Sequence, residues 1–75
     1  MTYYLTVDVG SYKPHVFAFK DKTRAQNAHV VLSAVITHAS SPYPHSITVL
    51  LENDDEVATF RVTDLRAVSL VRSKL

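Results

Sequence analysis

The stretch TRAQNAHVVLSAVITHA, residues 23–39, decides the fold because its apolar residues recur at helical spacing. Steps of three and four place them on one face of an α-helix, with Val31 and Ile36 beside the same stripe. The β-branched residues of this stretch favour strands, but the periodicity and the two clear ends outweigh that preference. The sequence therefore predicts an amphipathic helix whose apolar stripe consists of Ala25, Ala28, Leu32, Val35 and Ala39.

Both ends of this helix carry sequence signals. Thr23 and Gln26 have the spacing of a capping box, in which the Thr hydroxyl and the Gln amide satisfy two unpaired backbone amides. The segment SSPYP at residues 40–44 ends the helix, because proline cannot continue it and restricts the residue before it. We therefore expect the helix to start at Thr23 and to end at about residue 39.

Short alternating runs on both sides of the helix predict strands. Residues 2–9 and 15–20 alternate apolar and polar side chains, and a turn between Gly10 and Pro14 joins them as a hairpin. After the helix, residues 46–52, 57–63 and 67–71 predict three more strands, with a solvated polar loop at 53–56 and a turn at Asp64. The last strand is apolar on both faces, which favours a central or interface position over a bare edge.

The resulting order, ββαβββ, predicts a single α+β domain over residues 1–75, with one helix packed on one face of an antiparallel sheet. A small five-stranded β-barrel with the helix as an insertion is the alternative. In the two-layer arrangement, the face away from the helix would carry Tyr4, Thr6 and Leu50. This surface would be partly apolar, and sheet-to-sheet or edge-to-edge dimerisation would cover it.

The size and composition of the chain also indicate self-association. A domain of 75 residues with a hydrophobic fraction of 47% buries only about 60% of its unfolded surface, so part of its apolar area stays exposed. The chain has no cysteine, so no disulfide compensates for the small core. We therefore expect a homodimer or larger homo-oligomer. The chain lacks a signal-peptide pattern and any apolar run of about 20 residues, so a cytoplasmic location is expected.

Residue patterns that carry chemistry are weak. The histidines His15, His29, His38 and His45 lack metal-ligand spacing, and His29 with Ser33 lacks the acid and oxyanion donors that a nucleophile needs. The acidic residues at 52–56 lack the ligand pattern of a calcium loop. The sequence therefore predicts no catalytic residue, metal or cofactor. An enzyme would have to build its site between subunits.

Two binding surfaces are predicted instead. Tyrosines offer area and a hydrogen bond at little entropy cost, which favours a protein interface that includes Tyr3, Tyr4, Tyr12 and Tyr43. On this view the chain is a non-enzymatic interaction or regulatory module, such as a phage- or plasmid-encoded accessory protein that binds a host protein. The alternative is nucleic-acid binding through Lys20, Lys22 and Arg24, although the net charge is only +1.

The C-terminal residues add one further alternative. Ser73, Lys74 and Leu75 spell the peroxisomal import tripeptide, which would direct a eukaryotic protein to peroxisomes if its terminus were accessible. A three-residue match arises easily by chance, so the cytoplasmic expectation is kept and the peroxisomal address is its alternative.

Overall fold

The computed structural model describes residues 1–38, 48–53 and 56–73 of the chain. Within these ranges, no helix is long and apolar enough to cross a membrane. In chain order, the elements are β1 (Tyr3–Asp8), β2 (His15–Phe19), α1 (Lys22–Thr37), β3 (Thr48–Glu52), β4 (Val57–Arg61), a 3₁₀ helix (Val62–Asp64) and β5 (Ala67–Arg72).

A three-stranded antiparallel sheet has the order β2-β1-β5. The predicted hairpin of β1 and β2 is confirmed, and Leu5 at its centre lies opposite both Phe17 and Leu70. Of the two positions expected for the last strand, the central one is wrong, because β1 is the central strand and β5 lies at the edge; the interface position stays a prediction. The short connection after β1 places β2 on one side of it, so the returning β5 takes the other side.

A separate two-stranded sheet contains β3 and β4, which pair antiparallel with Val49 opposite Phe60 and Leu51 opposite Ala58. The expected α+β fold, with one helix packed against antiparallel sheet, is confirmed. The barrel alternative is wrong, because the strands of the described residues form two open sheets instead of closing on one another. Leu50 therefore lies on the outer side of the hairpin and not on the three-stranded sheet.

Helix α1 packs on one face of the three-stranded sheet, mainly against β5 and also against β1 and β2. The predicted apolar stripe is confirmed where the structure describes it: Ala25 and Leu32 are fully buried, and Ala28, Val35 and Ile36 pack against the core. The sheet contributes Leu5, Val7, Phe17 and Phe19, and the β3–β4 side contributes Val49, Leu51, Val62 and Leu65. One continuous core thus joins the helix and both sheets.

The start of α1 differs from the expected capping box. Asp21 is the N-cap, with extended backbone angles, and its Oδ1 accepts the N–H of Thr23 at 2.9 Å. The helix begins with Lys22, so Thr23 lies inside the first turn and cannot serve as the cap. Asp21, two residues after the end of β2, provides the acceptor ahead of Thr23, and carboxylates are among the preferred caps. At the other end, His38 is the C-cap, and the predicted stop at 40–44 lies outside the described residues.

The segment between β4 and β5 also departs from the expectation. The strand predicted to reach residue 63 ends at Arg61, and a 3₁₀ helix replaces its last part. The Leu65 N–H donates to the Val62 carbonyl at 3.2 Å, and both side chains are buried. This tight turn directs both apolar side chains into the core. In a continued strand, residues three positions apart point to opposite faces, so Val62 and Leu65 would not share the core.

Candidate protein-interaction surface

The face of the three-stranded sheet that lies away from α1 is called the open face. Because side chains alternate along a strand, the buried Leu5 and Val7 point to the helix and their neighbours point away. The strand register aligns these outward residues in rows across the sheet. The open face consists of Tyr4, Thr6 and Asp8 from β1, Val16 and Ala18 from β2, and Ala67, Ser69 and Val71 from β5.

Three large apolar side chains meet on the open face. Tyr4 is 41% exposed, Val16 is 49% exposed and Val71 is 59% exposed. Tyr4 lies opposite Ala18 on one side and Val71 on the other, and Val16 is its diagonal neighbour across β1 and β2. Opposite side chains on a sheet lie about 5 Å apart and diagonal ones about 7–8 Å apart, so the three form one patch. Thr6, Asp8 and Ser69 give this apolar patch a polar border.

A groove of about 420 Å³ lies at one end of the open face. Its walls come from β1, β5 and the loop between β1 and β2, and they include Thr6, Tyr12, Pro14 and Ser69. Tyr12 is 96% exposed, so nearly all of its ring is offered to solvent or to a partner. Tyrosine is enriched at binding hot spots because it presents apolar area and a polar tip with few rotatable bonds.

The loop that carries Tyr12 is shaped by local bonds. Gly10 has a φ of +79°, a conformation that side chains with a Cβ rarely adopt, and its N–H donates to Asp8 Oδ1 at 2.8 Å. The Ser11 hydroxyl donates to the Lys13 carbonyl at 2.9 Å. These bonds turn the chain sharply after β1, and they hold the exposed Tyr12 beside the groove.

A second groove, of about 260 Å³, lies between the last turn of α1 and the start of β5. Ser33, Ile36 and Thr37 line it from the helix, and Ala67 and Val68 line it from the strand. Ala67 and Val68 also line the first groove. The two grooves therefore flank the first residues of β5.

The β3–β4 hairpin contacts the opposite edge of the sheet. The Asn53 side chain donates from Nδ2 to the carbonyl of Ala18 on β2 at 2.8 Å, and its Oδ1 accepts the N–H of Glu56 at 2.8 Å. Asn53 is only 9% exposed. The expectation of a wholly solvated loop at 53–56 is therefore wrong for this residue, which joins the two sheets; residues 54 and 55 lie outside the described part of the chain.

An aromatic cluster strengthens the same junction. The His15 ring stacks on Phe17 with centroids 4.4 Å apart, and Phe60 of β4 meets both rings at 5.8 and 6.0 Å. The His15 Nε2 lies 3.3 Å from a carboxylate oxygen of Glu56. Side-chain packing, the His15–Glu56 contact and the Asn53 bond thus all fix the hairpin to β2.

The four tyrosines predicted for the interface occupy different places. Tyr4 lies on the open face and Tyr12 beside its groove, whereas Tyr3 is half-buried on the helix side and packs against the core. Tyr43 lies outside the described residues. Sequence reasoning missed Val16 and Val71 as members of the patch. Both are apolar residues at strand positions that alternate with the core residues and therefore point away from the helix. This alternation was the available signal.

The other predicted groups lie elsewhere. Lys20, Lys22 and Arg24 are all exposed and follow one another from the end of β2 into the first turn of α1. His29 and Ser33 are half-buried on the helix. In the part of the chain that the structure describes, no group of three or more His, Cys, Asp or Glu residues is arranged to hold a metal ion.

Comparisons with known proteins give this chain no relative. No family model matches it, and neither the curated proteins nor the solved structures include a match. Function is therefore inferred from the open face and its groove.

Proposed function

We propose that this chain is a non-enzymatic protein-interaction module, which self-associates and binds a protein partner through the open face. The patch formed by Tyr4, Val16 and Val71 carries the proposal. An antiparallel sheet with one face in water normally presents polar side chains there, but here three large apolar ones meet. A contiguous apolar patch with a polar border is the composition of a protein interface.

The groove beside the patch supports the same function. It adds a concave feature next to an apolar surface, and Tyr12 at its wall offers both a ring and a hydroxyl. Binding energy at interfaces concentrates in a few such aromatic anchors. The partner class we propose is a protein with an exposed apolar or aromatic segment that fills the groove and covers Tyr4.

A matched pair of variants tests this proposal. Tyr12→Ser changes the groove, whereas Leu50→Ser changes a side chain that is 66% exposed on the outer side of the β3–β4 hairpin. Both positions are exposed, so neither change should affect folding by more than about 0.5 kcal/mol. We expect a protein captured by the unaltered chain from the cells that make it to be captured by Leu50→Ser and lost with Tyr12→Ser, as measured by quantitative mass spectrometry. Equal capture by the two variants would contradict the proposal.

Nucleic-acid binding is the second candidate, and the exposure of Lys20, Lys22 and Arg24 at one corner favours it. The first turn of α1 holds no acidic residue, and Asp21 at the N-cap is the one carboxylate between these basic residues in the chain. If this corner contacts phosphates, changing all three residues to Ala should weaken binding and flatten its dependence on salt concentration. Filter binding of single- and double-stranded DNA and of RNA at several salt concentrations measures both effects. Undetectable binding at low salt would remove this candidate.

A further inference from the structure

The outer edge of β5 presents unpaired backbone groups. The N–H of Ser73 donates to the Thr2 carbonyl at 2.8 Å. With the register of β1 and β5, this bond shows which residues of β5 turn their backbone groups toward β1. In an antiparallel ladder, every second residue turns its N–H and C=O toward the partner strand. Ala67, Ser69 and Val71 therefore face β1, and the outward groups belong to Val68, Leu70 and Arg72. Among the described residues, no other strand pairs with this edge.

Within the described residues, this edge lacks the features that usually prevent edge-to-edge pairing. β5 has the sequence AVSLVR, with no proline, glycine or lysine and with one charge at its end. Natural edge strands are commonly protected by lysine, proline, bulges or a covering element. An unprotected edge of six residues is a template for another strand.

We propose that a second copy of this chain pairs with β5, antiparallel, with the two-fold axis beside Leu70. This proposal rests on the self-association stated under the proposed function and specifies where it occurs. Leu70 lies opposite its own counterpart, and Val68 lies opposite Arg72 of the second copy. The outward N–H and C=O groups of Val68, Leu70 and Arg72 in each copy then form hydrogen bonds with the other copy. The two sheets become one continuous sheet, with both helices on the same side.

The number of bonds and the charge favour this register over its neighbours. Arg72 is the only charged residue of β5, and in this register it faces the apolar Val68 of the second copy. An axis beside Val71 would pair only two of the three outward residues of each β5. An axis beside Arg72 would set Arg72 opposite its own counterpart, and directly opposed like charges are destabilising. A register shifted toward the N-terminus would leave Arg72 and its backbone groups beyond the paired segment.

The side chains fit the two grooves beside the strand. On the open face, Val71 of the second copy lies opposite Ser69, which lines the larger groove, so one flank of a valine that is 59% exposed in one copy is contacted while the residue remains part of the open face. On the helix side, the apolar stem of Arg72 from the second copy lies beside Val68, which lines the smaller groove with Ile36. Addition of a strand to an exposed edge obtains affinity from backbone bonds and specificity from such alternate pockets.

The small area of this contact limits the stability of the dimer. A single strand edge with two shallow grooves is smaller than a standard interface of about 1,600 Å². The dimer should therefore dissociate on dilution. Because the two-fold axis is perpendicular to the sheet, each dimer also presents two open-face patches on one surface, side by side.

The first experiment separates the backbone of Arg72 from its side chain. Arg72→Pro removes an outward N–H and leaves the bonds of Val71 and Ser73 to β1 intact, because their groups face inward. Arg72→Ala keeps the N–H and removes the charge. We expect sedimentation analysis to show a concentration-dependent dimer for the unaltered chain and for Arg72→Ala, and a dissociation constant at least about tenfold higher for Arg72→Pro. Circular dichroism confirms that each variant is folded. An unchanged dimer of folded Arg72→Pro would overturn the proposal.

The second experiment tests the register without proline. The proposed pairing sets Ser69 opposite Val71 of the second copy in a non-hydrogen-bonded pair, with Cα atoms about 4.5 Å apart, which suits a disulfide. The natural chain has no cysteine, so Ser69→Cys and Val71→Cys each introduce a single thiol. Mild oxidation of a mixture should give the mixed disulfide in several-fold excess over the disulfide of either variant alone, as read by mass spectrometry. An equal yield from Ser69→Cys alone would contradict this register.

These outcomes separate the new proposal from the function on which it rests. An unaltered chain that dimerises while both experiments fail would overturn the β5 pairing and keep self-association through another surface. A monomer at millimolar concentration would overturn the pairing and the self-association together. Binding of a protein partner through Tyr12 is measured independently of both.

Discussion

The two outer strands of the three-stranded sheet, β2 and β5, both pair with β1 on their inner sides but differ on their outer sides. The Ala18 carbonyl of β2 accepts a hydrogen bond from the buried Asn53, and the β3–β4 hairpin packs beside it. β5 has two grooves on its flanks and no further strand among the described residues. Among the described residues, the second sheet thus contacts one outer edge, and no strand pairs with the other.

The sequence around each edge agrees with this division. Pro14 directly precedes β2 and Lys20 directly follows it, and both residue types discourage pairing at an edge. The residues directly flanking β5 are Arg66 and Ser73, and β5 itself contains neither lysine nor proline. The following predictions weaken one edge or the other and are arranged from the largest expected effect to the smallest.

Phe17→Ala should have the largest effect, because Phe17 is fully buried where β2 meets the hairpin. Its ring lies 4.4 Å from His15 and 6.0 Å from Phe60. Loss of such a ring typically costs about 3–5 kcal/mol, through lost burial and the cavity that remains. Denaturant unfolding measures the loss. Leu70→Ala on β5 is the control and should cost less, because Leu70 is only partly buried; equal losses would contradict the contrast between the two sides.

Asn53→Ala should have the next effect, because it removes the only side-chain bond shown between the hairpin and the β2 backbone within the described residues. The Ala18 carbonyl and the Glu56 N–H both lose this partner, and because both bonds are only part-buried the cost falls at the lower end of the about 1–3 kcal/mol of a buried unpaired group. The free energy of unfolding should fall by that order, and the variant should aggregate more readily because the β2 edge opens. Thr59→Ala, at an exposed position of β4, is the matched control and should be nearly neutral.

Glu56→Gln should have the smallest effect. The carboxylate lies 3.3 Å from His15 Nε2, but both side chains are about 40% exposed, at 41% and 42%. Exposed ion pairs contribute about 0.2–1 kcal/mol. The backbone bond from Glu56 to Asn53 remains, because it uses the N–H and not the side chain. A loss of more than about 2 kcal/mol in thermal or chemical unfolding would show that packing does not hold the hairpin as described.

Much of the fold was accessible from sequence because local periodicity determined it. The stripe of Ala25 and Leu32 placed the helix, and the alternation around Phe17 and Phe19 identified the buried face of β2. The N-cap lies two residues before the predicted Thr23, at Asp21. Asp21 and Thr23 are both good caps, and only the geometry at the end of β2 shows which of them meets an unpaired amide.

The arrangement of strands was less accessible, because it depends on contacts distant in sequence. β5 is apolar on both faces, which is typical of a central strand, yet it lies at an edge. Asn53 is a polar residue in a polar loop, and nothing local shows that it is buried against Ala18, 35 residues away in the chain. The open-face patch likewise combines Tyr4, Val16 and Val71 through the register, so only Tyr4 was recognised from sequence.

Residue-resolved amide hydrogen exchange at low and high protein concentration tests the central claim most directly. The claim is that the β5 edge is available for a second copy whereas the β2 edge is already covered. We predict that the amides of Val68, Leu70 and Arg72 exchange rapidly in dilute protein and become protected as concentration rises, while those of Val16 and Ala18 do not change. Exchange at β5 that is independent of concentration, or concentration-dependent protection at Val16 and Ala18 instead, would contradict the account.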